Sequence, residues 1–112
     1  MPITNPDYSN INPEEMAAAI GLKAKHIPLL VGSFLDESTP ILQNLEDAIS
    51  SKNYTDIKSF AHSIKGSAGN LRFNEIYEMA REIELAGAQE SADFDYDGYF
   101  VAIKTAISTI KV

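Results

Sequence analysis

The sequence predicts an all-α fold, specifically an up-and-down antiparallel four-helix bundle with a short additional N-terminal helix. Apolar residues recur at helical spacing along most of the chain, capping residues and glycines separate these stripes, and no segment alternates as a strand does. The 112 residues, 45% of them hydrophobic, suit one compact domain with one core. Loops that are short throughout should bring consecutive helices back antiparallel.

The chain is expected to divide into an N-terminal arm, residues 1–12, and a helical domain, residues 13–112. The arm is rich in Pro, Asn, Asp and Ser with scattered apolar residues. That composition is typical of a tail that can lie over a core without folding by itself. The arm is therefore not expected to contribute a helix.

The short first helix has recognisable start and stop signals. Asn12 is a capping residue, Pro13 suits the first helical position, and two acids follow in the first turn, where the helix dipole favours them. Gly21 is a stop signal after about Ile20. This helix is thus predicted to be only about two turns long.

A long, one-sided helix is predicted from about Lys25 to Ser50. Pro28 is harmless in a first turn, but Pro40 lies well inside the apolar stripe. Pro40 must either kink the helix or restart it with Thr39 as the new cap, and the sequence leaves both alternatives open.

Three further helices follow. Asn53 with Asp56 resembles a capping box at the start of the third, whose apolar face continues to about Leu71. Asn74 is expected to cap the fourth. A polar stretch over residues 89–93 separates it from the last helix, which is predicted over about residues 95–111.

Composition and charge exclude several classes of function. A formal charge of -7, without a stripe of Lys or Arg, makes nucleic acid an improbable partner. The absence of cysteine removes disulfides and thiolate metal sites. No apolar stretch approaches the roughly 20 residues that span a bilayer, and the first residues do not resemble a signal peptide. We expect a cytoplasmic protein without a membrane association.

The third helix carries the residue of chemical interest, His62. At 100° per residue it projects roughly 140° away from the centre of the apolar face, so it should face solvent. The neighbours expected on this exposed face are both cationic and small: Thr55, Lys58, Ser59, Lys65, Gly66 and Gly69. Such a surface suits an anion.

The two glycines beside His62 require an explanation, because each lowers the stability of a helix by about 1 kcal/mol relative to alanine. Because glycine has no side chain, another protein can approach His62 closely at these positions. An imidazole with a reference pKa of about 6.5 is largely neutral near pH 7, which leaves a ring nitrogen free to attack phosphorus. Lys65, one turn further on, can balance the phosphoryl charge. A solvated surface histidine without a function is the competing interpretation.

The eleven residues from Ala61 to Leu71, AHSIKGSAGNL, resemble the signature of histidine-containing phosphotransfer (Hpt) domains around a His-x-x-Lys-Gly core. The likeness extends more loosely over about residues 14–110. One departure is visible, since the family often has a small residue such as glycine after the motif's leucine, where this chain has Arg72 and Phe73.

This resemblance implies a phosphorelay protein that carries a phosphoryl group between receiver-domain aspartates as phosphohistidine at His62. Lys65 would stabilise the phosphoryl charge. Partner access and docking would involve Gly66, Ser67, Gly69, Lys58 and Ser59. The expected partners are response-regulator receiver domains and a hybrid histidine kinase. We expect a monomer and no cofactor, with Mg²⁺ on the receiver.

The chain is not expected to be an enzyme, because it lacks a nucleotide-binding loop, paired metal carboxylates and an ATP-binding domain. Two alternatives remain at this stage: an adaptor that is never phosphorylated, and a phosphoacceptor that serves a chemotaxis-type kinase. His26 is given no role.

Several further side chains are candidates for the surroundings of His62. Arg72 could add positive charge, although a solvated arginine at a helix end is the preferred interpretation. Met16 and Ile20 are candidates for receiver docking or for closing the core. Four residues of the fourth helix could lie beside the ring, with a solvated polar face as the favoured alternative: Glu78, Arg81, Glu82 and Leu85.

Overall fold

The computed structural model describes residues 2–112, and in this part of the chain all regular structure is helical. The elements are α1 (Pro13–Ile20), a 3₁₀ turn (Ala24–His26), α2 (Ile27–Ser50), α3 (Tyr54–Asn70), α4 (Asn74–Ala88) and α5 (Tyr96–Ser108). The all-α class and the short N-terminal helix are confirmed.

Two of the predicted helix starts have the expected caps. The side chain of Asn12 accepts hydrogen bonds from the backbone of Glu14 and Glu15, and that of Asn53 accepts from the amide of Asp56 at 3.2 Å. Asp95 caps α5 in the same way. Each cap satisfies amides that have no partner inside the helix. Gly21 ends α1 with φ 76°, in the left-handed region that favours glycine.

Pro40 neither ends nor restarts α2, which is one helix from Ile27 to Ser50. The hydroxyl of Thr39 donates to the carbonyl of Leu35 at 3.1 Å, a bond inside a helix rather than a cap. The restart alternative is therefore wrong.

The prediction that Asn74 caps α4 is also wrong. Phe73 stands at the cap position and makes no side-chain capping bond. The hydroxyl of Tyr8, from the arm, accepts from the amide of Glu75 at 3.3 Å and donates to the Glu75 carboxylate at 2.6 Å. The start of α4 is thus capped by a residue 67 positions earlier in the chain.

Residues 2–12 of the arm form no helix, but they pack on the domain. The amide of Tyr8 donates to the hydroxyl of Thr109, and its carbonyl accepts from the amide of Lys111. The ring of Tyr8 meets that of Phe73 edge-on, with 4.8 Å between centroids. Ile3 and Ile11 also lie against the core. Both ends of the described chain are therefore tied to the helices.

The most extensive helix contact is between α3 and α4, and Gly87 lies within it. A Cβ there would lie 3.2 Å from Cγ2 of Ile57, 3.2 Å from the backbone nitrogen of Lys58 and 3.3 Å from the carbonyl oxygen of Tyr54. A side chain at residue 87 would push on the backbone of α3, so the glycine helps the two helices to approach this closely. This approach fixes the separation of α3 and α4 one turn away from His62.

Among residues 2–112, no single helix is long and apolar enough to cross a membrane. One bent pair, Pro13–Ile20 with Ala24–Ser50, passes by length and composition, with a bend of 104° between its two parts.

Candidate functional site

His62 lies on the outer face of α3, as its position on the helical wheel predicts. Its neighbours Ala61 and Ile64 are buried in the core, whereas the imidazole side chain is 66% exposed. Burial of the apolar stripe orients α3, and this orientation turns His62 toward solvent. An external reactant can therefore reach the ring.

A carboxylate of α4 holds the ring. Oε2 of Glu84 lies 2.6 Å from Nδ1 of His62, across the contact between α3 and α4. The other oxygen, Oε1, lies 2.6 Å from Nζ of Lys65. Glu84 is only 14% exposed. It is therefore a largely buried carboxylate with both oxygens engaged, and it joins His62 to Lys65.

The charge of Glu84 follows from these contacts. Burial raises the pKa of its carboxyl group, but the hydrogen bonds and charges of Lys65 and His62 outweigh this effect and hold the pKa below its ordinary value. Glu84 is thus ionised near neutral pH and can only accept hydrogen bonds.

This acceptor determines the tautomer of His62. Because Glu84 accepts, Nδ1 must carry the hydrogen, and in the neutral ring Nε2 then has the lone pair. Nε2 is directed away from the carboxylate, on the accessible side of an exposed ring. The arrangement suits a nucleophile that is held by one nitrogen and reacts through the other.

A surface depression of about 480 Å³ lies beside the ring. It is lined by Thr55, Lys58, Ser59, His62, Ser63 and Glu84. Two of these, Lys58 and Ser59, belong to the set predicted from the sequence for partner access. Hydroxyl groups and a cation next to an exposed imidazole suit an oxyanion, and the charge of Glu84, the acid in this lining, is balanced by Lys65.

The family model for the Hpt domain matches residues 29–111 of the 112-residue chain. The chain belongs to the Hpt domain family. Hpt domains take part in histidine phosphotransfer in phosphorelays; they are phosphocarriers rather than kinases, and they interact with receiver domains and histidine kinases. No curated protein and no solved structure matches the chain significantly.

The other motif residues of this Hpt domain, Gly66, Ser67 and Gly69, lie in different environments. A Cβ on Gly66 would meet nothing within 4 Å, so its surface is open. A Cβ on Gly69 would lie 3.2 Å from the ring of Tyr77, so this glycine makes room for α4. Ser67 lines a separate depression toward α2. Only Gly66 of the three combines an open surface with a position one turn from His62.

The turn after the motif, where this chain departs from the family pattern, has a backbone conformation that glycine adopts most easily. Arg72 has φ 62°, in the left-handed region where glycine costs least. Its guanidinium reaches the carbonyl of Ala19 at 3.5 Å, near the C-terminal end of α1. Arg72 therefore has a partner on another helix, α1, whereas the sequence favoured a solvated arginine at the end of its own helix.

Glu84 was not predicted from the sequence as a neighbour of His62. The four residues of α4 considered as neighbours of the ring, Glu78, Arg81, Glu82 and Leu85, are all exposed. Glu84 follows the buried Ile83, four residues after buried Ala80 and three before buried Gly87. Glu84 thus lies at the border of the buried face of α4, where a charged side chain is seldom covered unless it is paired. That position is the signal that could have identified it.

The two docking candidates of α1 and the possibility of a metal site remain to be placed. Met16 and Ile20 of α1 are partly buried and pack against the core, so they help to close it. Within residues 2–112, no three His, Asp or Glu side chains are grouped as a metal site would need.

Proposed function

We propose that this Hpt domain relays a phosphoryl group between the aspartates of two receiver domains through phosphohistidine at His62. The observation that carries the proposal is the bond from Nδ1 of His62 to Glu84 at 2.6 Å on a ring that is 66% exposed. It gives an accessible Nε2 with a lone pair, which phosphoryl transfer to histidine requires.

In the proposed forward step, Nε2 of His62 attacks the phosphorus of the receiver's aspartyl phosphate in line. The new N–P bond forms as the acyl O–P bond breaks, and the aspartate leaves as a carboxylate. The ring keeps its hydrogen on Nδ1 and becomes cationic, so no proton has to leave. Glu84, ionised and in contact with Nδ1, stabilises that positive charge. The reverse step delivers the group to the second receiver.

The receiver is expected to supply Mg²⁺ and most polar groups around phosphorus, and this chain acts as a phosphocarrier rather than an enzyme. The open surface at Gly66 supports a close approach of the receiver. Partner access would also use Lys58 and Ser59, and Lys65 would contribute to charge balance.

The arrangement of the helices is part of the proposal. The segments 51–53 and 71–73 join α2 to α3 and α3 to α4, and 89–95 joins α4 to α5. Connections of three residues between packed helices favour antiparallel neighbours. We therefore propose that α2 to α5 form an up-and-down bundle in a cytoplasmic monomer, with receivers and a hybrid histidine kinase as partners.

The test is transfer from a phosphorylated receiver in the presence of Mg²⁺. Wild type, His62→Gln and His26→Gln are incubated with the receiver, and acid-labile, alkali-stable phosphate is followed by gel and mass spectrometry. We expect label on wild type and His26→Gln, located at His62, and none on His62→Gln. Equal folding of the variants is checked by circular dichroism. Absence of label across a panel of receivers that still bind the chain would favour an unphosphorylated adaptor.

A further inference from the structure

The two lysines nearest to His62 in sequence have different surroundings. Lys65 lies 2.6 Å from Glu84 and is only 24% exposed, so a carboxylate already balances its charge. Lys58, one turn before His62, is exposed and forms no ion pair in the described part of the chain. The residues three and four positions away on its face include no acid. Lys58 is thus an uncompensated cation.

The ring of His62 lies on the same side as Lys58. Side chains of an α-helix lean toward its N-terminus, so the imidazole covers the preceding turn, which contains Lys58 and Ser59. The depression beside the ring is lined by these two residues, by Thr55, another turn earlier, and by Ser63 and Glu84. Both oxygens of Glu84 are already in contact with His62 and Lys65. Since Nδ1 contacts Oε2 of Glu84, Nε2 lies on the other side of the ring, directed away from that oxygen, and the ring itself borders this depression.

We propose that Lys58 is the cation that binds the phosphoryl group of phospho-His62, assisted by the hydroxyls of Thr55 and Ser59, while Lys65 is a positioning residue that acts through Glu84. This inference rests on the proposed function, since it concerns the phosphorylated form of His62. It gives the two lysines separate tasks.

The charges support this division. In the unphosphorylated site, the charges of Lys65 and Glu84 balance one another. A phosphoryl group adds nearly two negative charges near neutral pH, whereas the ring gains only the one positive charge that Glu84 already faces. An additional cation is therefore required close to phosphorus, and Lys58 is the cation among the described residues that line the depression.

The test uses phosphoramidate, a small donor that phosphorylates histidine without a receiver. The complete chain is compared as wild type, Lys58→Gln, Lys65→Gln and Lys104→Gln. Lys104 is an exposed lysine of α5 whose replacement removes the same charge outside the site. The measurements are the rate of phosphorylation, the half-life of phosphohistidine and the ³¹P chemical shift as a function of pH.

For Lys58→Gln we expect phosphorylation to slow by about fivefold, as for loss of roughly 1 kcal/mol from an exposed charge contact. We also expect the second ionisation of the phosphoryl group to move to higher pH, because the dianion has lost its cation. Lys104→Gln should match wild type in both. Lys65→Gln should alter the tautomer of His62, measured by ¹⁵N NMR, and leave the phosphoryl ionisation nearly unchanged.

The outcomes separate this inference from the proposed function. If wild type is phosphorylated at His62 but Lys58→Gln keeps the wild-type phosphoryl ionisation and rate, the inference is overturned and the proposed function stands. A shift of the ionisation in Lys65→Gln alone would assign the phosphoryl contact to Lys65. If neither phosphoramidate nor a phosphorylated receiver labels wild type, the proposed function itself fails. Lys58 is exposed, so its replacement should leave the thermal unfolding midpoint unchanged.

Discussion

Nδ1 of His62 and Oε2 of Glu84 lie 2.6 Å apart, although 22 residues separate them in the chain. The contact joins the exposed face of α3 to the flank of α4, and Lys65 binds the second oxygen of the same carboxylate. One largely buried carboxylate therefore orients the ring, selects its tautomer and compensates the charge of a lysine. The following expectations depend on this contact and on the packing that creates it.

Replacing Glu84 by Gln should slow phosphorylation of His62 by about tenfold to a hundredfold. The amide can no longer stabilise a cationic ring, and a hydrogen bond to a charged group contributes about 1.5–3 kcal/mol. Phosphoramidate kinetics measure the rate, and ¹⁵N NMR should show a smaller Nδ1-protonated fraction than in wild type. Glu82→Gln, an exposed change two residues earlier, is the control. Wild-type kinetics in Glu84→Gln would show that Glu84 does not contribute to phosphorylation of His62.

Gly87→Ala should disturb the contact between α3 and α4, and with it the surroundings of His62, through packing alone. Its methyl group would lie 3.2–3.3 Å from the backbone nitrogen of Lys58 and the carbonyl oxygen of Tyr54, so α4 must move away from α3. We expect a loss of about 1–3 kcal/mol in the free energy of unfolding, as for overpacked cores. Denaturant unfolding measures the loss, and the NMR signals of His62 should change with it. Unchanged stability would show that the helices adjust without cost.

Gly66→Ala provides the opposite case. Nothing lies within 4 Å of the added Cβ, so alanine should stabilise α3 by about 0.5–1 kcal/mol through its higher helix propensity. Phosphorylation by phosphoramidate should remain at the wild-type rate, whereas transfer from a receiver should slow because the new methyl group hinders its approach. Equal slowing with both donors would mean that Gly66 affects the ring itself and not partner access.

Tyr8→Phe should lower the free energy of unfolding by about 1 kcal/mol or more, since the hydroxyl bonds both the amide and the carboxylate of Glu75. Burial, followed by the bond to Glu75, raises the pKa of Tyr8 well above its usual value. A raised pKa in the folded state contributes stability below the unfolded pKa of about 10 and loses it as pH rises further.

The alkaline loss of stability should accordingly be smaller in Tyr8→Phe than in wild type when unfolding is followed between about pH 8 and pH 11. It should not disappear, because Tyr99, whose pKa burial and Glu82 raise to about 12, contributes in the same direction. Identical alkaline profiles for wild type and Tyr8→Phe would contradict the role of the Tyr8 hydroxyl as the cap of α4.

Much of the local structure follows from the sequence because its signals act over a few residues. Asn12 and Asn53 accept hydrogen bonds from amides in the first turn of a helix, and Gly21 ends one. Their roles can therefore be predicted from neighbouring positions. The exposure of His62 follows in the same way from the apolar stripe of α3. The resemblance around His62 and Lys65 led to the Hpt family, which the match over residues 29–111 confirms.

The sequence by itself determined the all-helical class, most helix ends and the histidine that faces solvent, since these depend on periodicity and on capping within a turn. Only the tertiary structure decided which group holds that histidine. Glu84 reaches it because Gly87 lets α3 and α4 approach closely, and Tyr8 replaces Asn74 as the cap of α4 because the arm folds back across the domain. Contacts over 22 and 67 residues depend on how helices and arm pack, and no pattern within a few residues encodes that packing.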